Sequence, residues 1–328
     1  MSQNSFSMST AAPSGYAKLG PGADVTLGGP DASKATFGAG RRLSSGAAVV
    51  GFLAALVAAN LTNAVRASHL TSSSPASPVP SSQNLKSAKD ISQLNRMRPQ
   101  QQAESLLELA VGESDGALDQ ISARINGWRG QIAWTPRIAS LTTAALNSND
   151  LQVRGAGIEV ELAAYGLRKD SATLDLLLRE ANSPAHAQKI WALWTLGLLA
   201  NRGVETERVV QNLSSHLQDA DVDSRRWTVE ALALVGTDST ISPLLHAMHD
   251  DPAASVRERA ACSLAQSGML TQQQRMHAVP QLVSYSDDPS LDAQTHAWAF
   301  QALGDITHQR LPNDSGAWRN WYASLNGE

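Results

Sequence analysis

The carboxyl-terminal two thirds of the chain alternate apolar helical stripes with polar turns. In the segment DSTISPLLHAMHD, Ile241, Leu244, Leu245 and Met248 lie at i, i+3, i+4 and i+7, on one face of a helix. The next stretch, DDPAASVRERAACSLAQSG, opens with two acids and a proline, continues with a second apolar stripe and closes with Gly268. Acids and proline favour a helix start, and glycine favours a helix end. The pattern predicts two packed helices joined by a short turn.

This unit recurs along the chain. The closing glycines follow one another at intervals of 37, 33, 32 and 36 residues, and they are Gly166, Gly203, Gly236, Gly268 and Gly304. A period of about 30–40 residues is typical of solenoids, in which each repeat buries its apolar face on a neighbour. The sequence therefore predicts an all-α fold with five helical pairs between about residues 137 and 306.

An arginine follows the first core position of the second helix in several units. Arg257 and Arg225 occupy this position in adjacent units, and Arg154 occupies it roughly two units earlier. Two interpretations stay open. The guanidinium groups bond acids or carbonyls of the neighbouring repeat, or they form a ladder that lines a groove for a partner. On the second interpretation, all three arginines are candidate partner-binding residues.

The Asp-rich turn, the Val-Arg pair, the alanines and the closing glycine resemble HEAT repeats, especially the short bacterial kind also seen in phycobilisome lyases. The resemblance covers roughly residues 137–310 and matches best at 250–268. It departs most at 182–203, where Ala187 and Gln188 stand in place of Val-Arg. The resemblance implies a HEAT-like right-handed α-solenoid of about five helical pairs.

The two ends of the repeat region have expected roles as caps. The ending ALGDITHQRLPNDSGAWRNWY is similar to the closing segment of bacterial HEAT-repeat proteins, in which an Asp-x-x-x-Trp helix covers the last repeat. This implies a capping helix within residues 311–328, in which Asp314, Trp318 and Trp321 hide the open face of the stack. Residues 100–136 predict a helical amino-terminal cap or a degenerate repeat.

The amino-terminal third lacks the repeat. Residues 1–42 are rich in Ser, Gly, Ala and Pro and predict a disordered segment. Residues 43–65 carry no charge, and a helix of this length, at about 1.5 Å per residue, reaches across a hydrocarbon core of roughly 30 Å. Residues 66–99 are rich in Ser and Pro at their start and predict a flexible tether.

Several interpretations of the apolar segment stay open. It is a single-pass membrane anchor, a cleaved secretory signal or a buried helix of a soluble protein. Arg41 and Arg42 before it weakly resemble a twin-arginine export signal. They also favour a cytoplasmic amino terminus, although Arg66 directly after the segment weakens that bias. The favoured prediction is an anchored protein whose solenoid lies on the extracytoplasmic, or periplasmic, side of the membrane.

The net charge of −4 hides an asymmetry along the chain. Residues 1–99 carry nine Lys and Arg and three Asp and Glu, whereas residues 100–328 carry seventeen and twenty-seven. An acidic body argues against nucleic acid as a partner, since phosphates demand a basic face. The single cysteine, Cys262, rules out an intramolecular disulfide framework and any multi-cysteine zinc site.

We find no catalytic constellation, no phosphate-binding glycine loop and no HExxH motif, and we expect no cofactor and no metal. His246 and His249 have a spacing that can bind metal, but no third ligand is identifiable. Asp219, Asp221 and Asp223 alternate like the start of an EF-hand, but they lack its glycine and distal glutamate. We therefore interpret these acids as turn and capping residues.

Three functions fit this sequence. The favoured one is a membrane-tethered HEAT-repeat scaffold that binds an unidentified protein partner through the solenoid surface. An enzyme or enzyme subunit of the repeat-containing lyase type rests on fold similarity alone. A structural component of an envelope assembly is the third.

Trp191 and Trp194, in one apolar helix, are interpreted as core residues, with an exposed aromatic anchor as the alternative.

Overall fold

The computed structural model describes residues 88–325 and 327 of the chain, and within them every regular element is helical. The predicted disordered segment 1–42, the apolar segment 43–65 and most of the predicted tether 66–99 lie outside the described residues. Among the helices that are described, none combines the length and the apolar character that crossing a bilayer requires.

Fifteen α-helices follow one another in the described residues. They are α1 Ala88–Arg96, α2 Pro99–Val111, α3 Ala117–Trp128, α4 Pro136–Leu146, α5 Leu151–Ala164, α6 Ser171–Glu180, α7 His186–Asn201, α8 Thr206–His216, α9 Val222–Val235, α10 Ile241–Asp250, α11 Ala254–Ala265, α12 Gln272–Met276, α13 Val279–Tyr285, α14 Ala293–Thr307 and α15 Ser315–Leu325. A short 3₁₀ helix, Asp238–Thr240, precedes α10.

Ten of these helices form five consecutive pairs. The pairs are α4–α5, α6–α7, α8–α9, α10–α11 and α13–α14, and the two helices of each pair pack on each other. The second helices also pack in a row, α7 on α9, α9 on α11 and α11 on α14. This is the repeated pairing that the glycine spacing predicts, with the short α12 as an insertion before the last pair, but Gly304 lies within α14 and does not end it.

The second helices approach one another closely where glycines remove the side chain. A Cβ placed on Gly197 of α7 would lie 2.5 Å from the carbonyl oxygen of Ala231 in α9, so only glycine fits there. Gly268 has a φ of +75° and packs against Ala233 of α9. Helix α11 itself ends at Ala265, three residues before this glycine, so Gly268 shapes the turn after the helix.

Two apolar clusters meet at α5. The smaller cluster gathers buried residues of α1 to α5, and the larger one runs from α4 to α15. Helix α5 gives Val153 and Val160 to the smaller cluster and Ile158 and Leu162 to the larger. Trp134, just before α4, is partly buried and packs against both clusters. Helix α5 therefore joins the amino-terminal helices to the repeats that follow.

The predicted tether needs a correction at its carboxyl-terminal end. Residues 66–99 were expected to be flexible throughout, but α1 occupies Ala88–Arg96 within that range. Leu94 of α1 is only 5% exposed and belongs to the smaller apolar cluster. Burial of this side chain offsets part of the entropy lost on ordering the segment, so regular structure begins before residue 100.

Candidate partner-binding site

Arg225 links the third helical pair to the fourth. Its Nε and Nη2 groups donate to the two carboxylate oxygens of Asp251, at 2.7 and 3.0 Å, and its Nη1 donates to the carbonyl oxygen of Asp219 at 2.9 Å. The arginine is 7% exposed, and hydrogen bonding to Asp251 raises its pKa. A fork-shaped guanidinium suits this two-point pairing with a carboxylate.

Arg257 repeats this geometry one pair later. Its Nη1 donates to the carbonyl oxygen of Asp251 at 2.8 Å, and its Nη2 donates to the carboxylate of Asp292 at 2.6 Å. Its Nε donates to the hydroxyl of Thr295 at 3.0 Å. Arg225 and Arg257 thus bond acids and carbonyls at the repeat boundaries. This geometry corresponds to the interpretation in which the arginines join neighbouring repeats.

Lys189 makes the corresponding contact in the second helical pair, where the arginine is missing. Its Nζ lies 2.9 Å from the carboxylate of Asp219, so the second helical pair is joined to the third by the same kind of link. Sequence comparison of the repeats missed this residue, because the lysine stands one position after Gln188, where the arginine was expected. We call Lys189, Arg225 and Arg257 the inter-repeat ladder.

Arg154 follows a different course from the ladder. Its Nε donates to the carbonyl oxygen of Ser148 at 2.6 Å, six residues before it, as in the other two arginines. Its Nη1, however, donates to the carbonyl oxygens of Gln266, at 3.1 Å, and Gly268, more than 110 residues further along the chain. Arg154 therefore joins the first helical pair to the end of the fourth.

A pocket of about 850 Å³ lies at this junction. It is lined by residues of the first, fourth and fifth pairs and of α12, among them Asn149, Arg154, Gln266, Arg275, Asp305 and Arg310. Clefts of about 300–1,000 Å³ are typical of sites that hold a small molecule. No feature of the sequence predicts the pocket, because it forms between elements that are far apart in the chain.

Arg275 caps the carboxyl-terminal end of α11 beside this pocket. Its Nη1 donates to the carbonyl oxygens of Ser263 and Leu264, and its Nη2 donates to those of Gln266 and Ser267, at 2.8 to 3.1 Å. The exposed carbonyls of a helix end attract a cation. Burial, together with the charge of Arg154, lowers the pKa of Arg275 to about 10.

The remaining charged residues of the lining lie on and after α14. Asp305 is held by Gln266, whose Nε2 donates to the carboxylate at 2.5 Å, and burial raises the pKa of Asp305. His308 ends α14 with a φ of +57° and is exposed, as is Arg310. The exposed segment after α14 therefore forms the rim of the pocket.

The predicted cap residues lie on and before α15. Oδ1 of Asp314 accepts from the backbone N–H of Ala317 at 2.7 Å, which caps the start of the helix. Trp318 is 1% exposed, and its Nε1 donates to the carbonyl oxygen of Pro312 at 3.1 Å. Trp321 packs edge-on against Trp318, with ring centroids 5.6 Å apart. Helix α15 packs on α13 of the last pair.

The histidine pair from the sequence is tied to acids. Nδ1 of His246 and Nδ1 of His249 both lie 2.6 Å from Asp250, and Nε2 of His249 lies 3.1 Å from Asp288 of the next repeat. Across the described residues, no three His, Cys, Asp or Glu side chains are arranged to hold a metal ion. The cluster therefore has the form of a polar contact between repeats.

The alternating acids have local roles. The carboxylate of Asp219 accepts from the backbone N–H of Asp221 at 3.0 Å as well as pairing with Lys189. Asp221 caps α9 by accepting from the N–H of Ser224 at 2.8 Å. Asp223 pairs with Arg226 at 3.7 Å.

Glu161 of α5 is a buried acid that sequence patterns did not single out. Its Oε1 accepts from Nε1 of Trp194 at 2.7 Å and from the hydroxyl of Tyr165 at 3.0 Å, while Oε2 is buried without a partner. Burial raises the pKa of Glu161 to about 7. Trp194 is fully buried and Trp191 nearly so, which is the core placement predicted for both.

Comparison with known proteins finds a family match in part of the repeat region. The family profile described as HEAT repeats matches residues 173–265, which span α7 to α11 and most of α6. One similar solved structure is a designed armadillo repeat protein in complex with the peptide (KR)4, at 16% sequence identity and a TM-score of 0.32. That match covers 67% of this chain and 91% of the designed one. No curated protein matches the chain.

Proposed function

We propose that this HEAT-repeat chain is a protein-binding scaffold, and that its partner places a short segment in the pocket between α5 and α11–α14. The pocket of about 850 Å³ is the observation on which the proposal mainly rests. It has room for a few side chains, and its polar lining offers directional contacts. HEAT repeats over residues 173–265 support a scaffold, since solenoids present extended surface for binding.

The ladder supports the same proposal by holding the repeats in fixed positions. A partner that touches several repeats binds more tightly when those repeats need no ordering on binding. Lys189, Arg225 and Arg257 join consecutive pairs, and Arg154 joins distant ones. The pocket lies between the first, fourth and fifth pairs, which Arg154 and Arg257 connect, so these two contacts preorganise it.

Site-directed photo-crosslinking tests this function. A photoreactive residue at Gln309, on the pocket rim, should yield a discrete crosslinked protein when the full chain is expressed in its native cells. The matched control is Gln211, an exposed glutamine of α8 away from the pocket. Crosslinking of the same protein with equal yield from both positions, or no product from Gln309, would contradict the proposed site.

We further propose that residues 43–65 anchor the scaffold in a membrane, with the repeats on the extracytoplasmic side. The support is the uncharged apolar stretch, the preceding arginine pair and the Ser- and Pro-rich residues after it. The full chain should then resist extraction by carbonate and require detergent. Protease added to intact spheroplasts should digest the repeats, and their protection until lysis would reverse the proposed orientation.

Two finer predictions from the sequence stay predictions. One is kinship with the short bacterial HEAT repeats that also occur in phycobilisome lyases, and with it a role as an enzyme subunit. The other is a role as a structural component of an envelope assembly.

A further inference from the structure

We infer that the pocket between α5 and α11–α14 recognises carboxylate groups, so that the segment it takes from a partner is an acidic peptide. This inference rests on the proposed function and names the chemistry of the partner. Three features of the lining support it: two buried guanidinium groups without a counter-charge, further donor groups, and a local charge opposite to that of the body.

The first feature is the environment of Arg154 and Arg275. Each is 5% exposed, and within the described residues neither forms an ion pair with a carboxylate. Their partners are backbone carbonyls of the turn before α5 and of the end of α11. A buried cation without a counter-charge is costly. An anion bound in the pocket would provide a negative counter-charge for both guanidinium groups.

The second feature is donor capacity. The hydrogen bonds of Arg154 to other described residues come from Nε and Nη1, so Nη2 of this lining residue makes no such bond. Arg310 is exposed on the rim. Asn149 and Gln309 add amide groups, which can bond the backbone of an extended peptide. The lining thus offers charged donors for carboxylates and neutral groups for a main chain.

The third feature is the contrast between the pocket and the body. Residues 100–328 carry seventeen Lys and Arg against twenty-seven Asp and Glu. The pocket lining reverses this balance, with Arg154, Arg275 and Arg310 against Asp305 alone. An acidic body repels a polyanion such as nucleic acid, whereas a local cationic pocket admits a few carboxylates. These charges favour a short acidic segment.

Fluorescence anisotropy of the full chain with a labelled tetraglutamate peptide, amidated at its carboxyl end, tests the inference. We expect binding that weakens with salt. The matched tetraglutamine peptide should not bind. A labelled tetraglycine peptide with a free carboxyl end distinguishes recognition of a chain terminus from recognition of acidic side chains. Binding of that peptide in preference to tetraglutamate would keep carboxylate recognition but contradict the acidic segment, because a chain terminus would then be the source of the carboxylate.

Three variants and one control connect binding to the pocket. Arg154→Gln should weaken tetraglutamate binding by about tenfold or more, because a charge-assisted hydrogen bond is lost. Arg310→Gln, at an exposed position, should weaken it by a smaller factor without affecting folding. Asp305→Asn should strengthen binding, because it removes the only carboxylate of the lining. Arg208→Gln, on the exposed face of α8, should bind like the parent.

The gain of affinity expected for Asp305→Asn is the most informative result. This variant binds tetraglutamate more tightly than the parent only if the pocket holds an anion. Unchanged binding in both Asp305→Asn and Arg310→Gln, or equal binding of tetraglutamate and tetraglutamine, would overturn the inference. A crosslinked partner at Gln309 whose captured segment has no acid and no free carboxyl end would also overturn it. That last result would leave the scaffold function intact, whereas the absence of both crosslinking and peptide binding would remove both proposals.

Discussion

Arg225 and Asp251 form a two-point ion pair across the boundary between two helical pairs, with distances of 2.7 and 3.0 Å and side-chain exposures of 8% and 4%. Removal of one partner from such a buried pair leaves the other charge uncompensated. We expect Arg225→Leu to lower the free energy of unfolding by about 3–5 kcal/mol. Urea denaturation of the full chain, followed by circular dichroism, measures this change.

The exposed pair between Arg208 and Asp175 is the control for the ladder, at 2.8 Å and about half exposed on both sides. Arg208→Leu should change the free energy of unfolding by no more than about 1 kcal/mol. Equal effects of the two substitutions would show that the ladder does not hold the repeats together.

The cap should stabilise the last pair mainly through Trp318. Its ring is almost fully buried, so Trp318→Ala should cost about 3–5 kcal/mol. Trp321 is partly exposed, and its replacement by alanine should cost less. Leu325→Ala, at a side chain that is 56% exposed, is the control and should be nearly neutral. A Trp318→Ala variant whose unfolding midpoint in urea equals that of the parent would show that α15 does not act as a cap.

Gly197 should be required for the packing of α7 on α9. Alanine at this position meets the backbone of Ala231, so Gly197→Ala should destabilise the fold by about 1–3 kcal/mol. Gly127 of α3 has open space around it, and Gly127→Ala should instead stabilise by roughly 0.5–1 kcal/mol. Melting temperatures of the two variants should therefore move in opposite directions, and a shift of the same sign would contradict the close approach.

Glu161 should make stability depend on pH. Its folded pKa of about 7 lies above the ordinary value of 4.5, so between these pH values the folded state keeps a proton that the unfolded state has lost. Raising the pH through this window therefore favours unfolding, and the loss is complete above about pH 7. It amounts to roughly 3 kcal/mol at about 1.36 kcal/mol for each unit of pKa.

Comparison with Glu161→Gln isolates this contribution from that of other groups. The stability of the parent relative to the variant should fall between pH 4.5 and 7 and stay constant on either side. Urea denaturation at several pH values gives the curve. A difference that does not change with pH would show that Glu161 titrates alike in the folded and unfolded states.

Local features of the fold were predictable from the sequence because each has a local cause. Apolar stripes such as Leu244 and Met248 predicted the first helices, and acid-rich turns predicted where second helices begin. The core placement of Trp194 followed from the apolar helix around it. The prediction that residues 66–99 are flexible throughout was wrong, because Leu94 is buried in a cluster with residues distant in sequence, which local composition does not reveal.

The candidate site depended on relationships that no single segment contains. The repeat pattern located Arg154, but its partner Gln266 is 112 residues further along the chain. Their hydrogen bond forms only when the first and fourth pairs meet. Lys189 was missed because the repeat pattern places the arginine at position 188, whereas the lysine that makes the same kind of contact is the next residue. Arg275 lies on the inserted helix α12, outside the repeat, so a comparison of repeats had no reference for it.

Hydrogen exchange of the full chain, measured by mass spectrometry with and without saturating tetraglutamate peptide, tests most directly whether the pocket is the binding site. We expect slower exchange of backbone amides in residues 265–272 and 304–310, which contain most of the residues that line the pocket, and unchanged exchange in α8. Protection confined to α8, or no protection in the pocket when anisotropy shows the peptide bound, would contradict it.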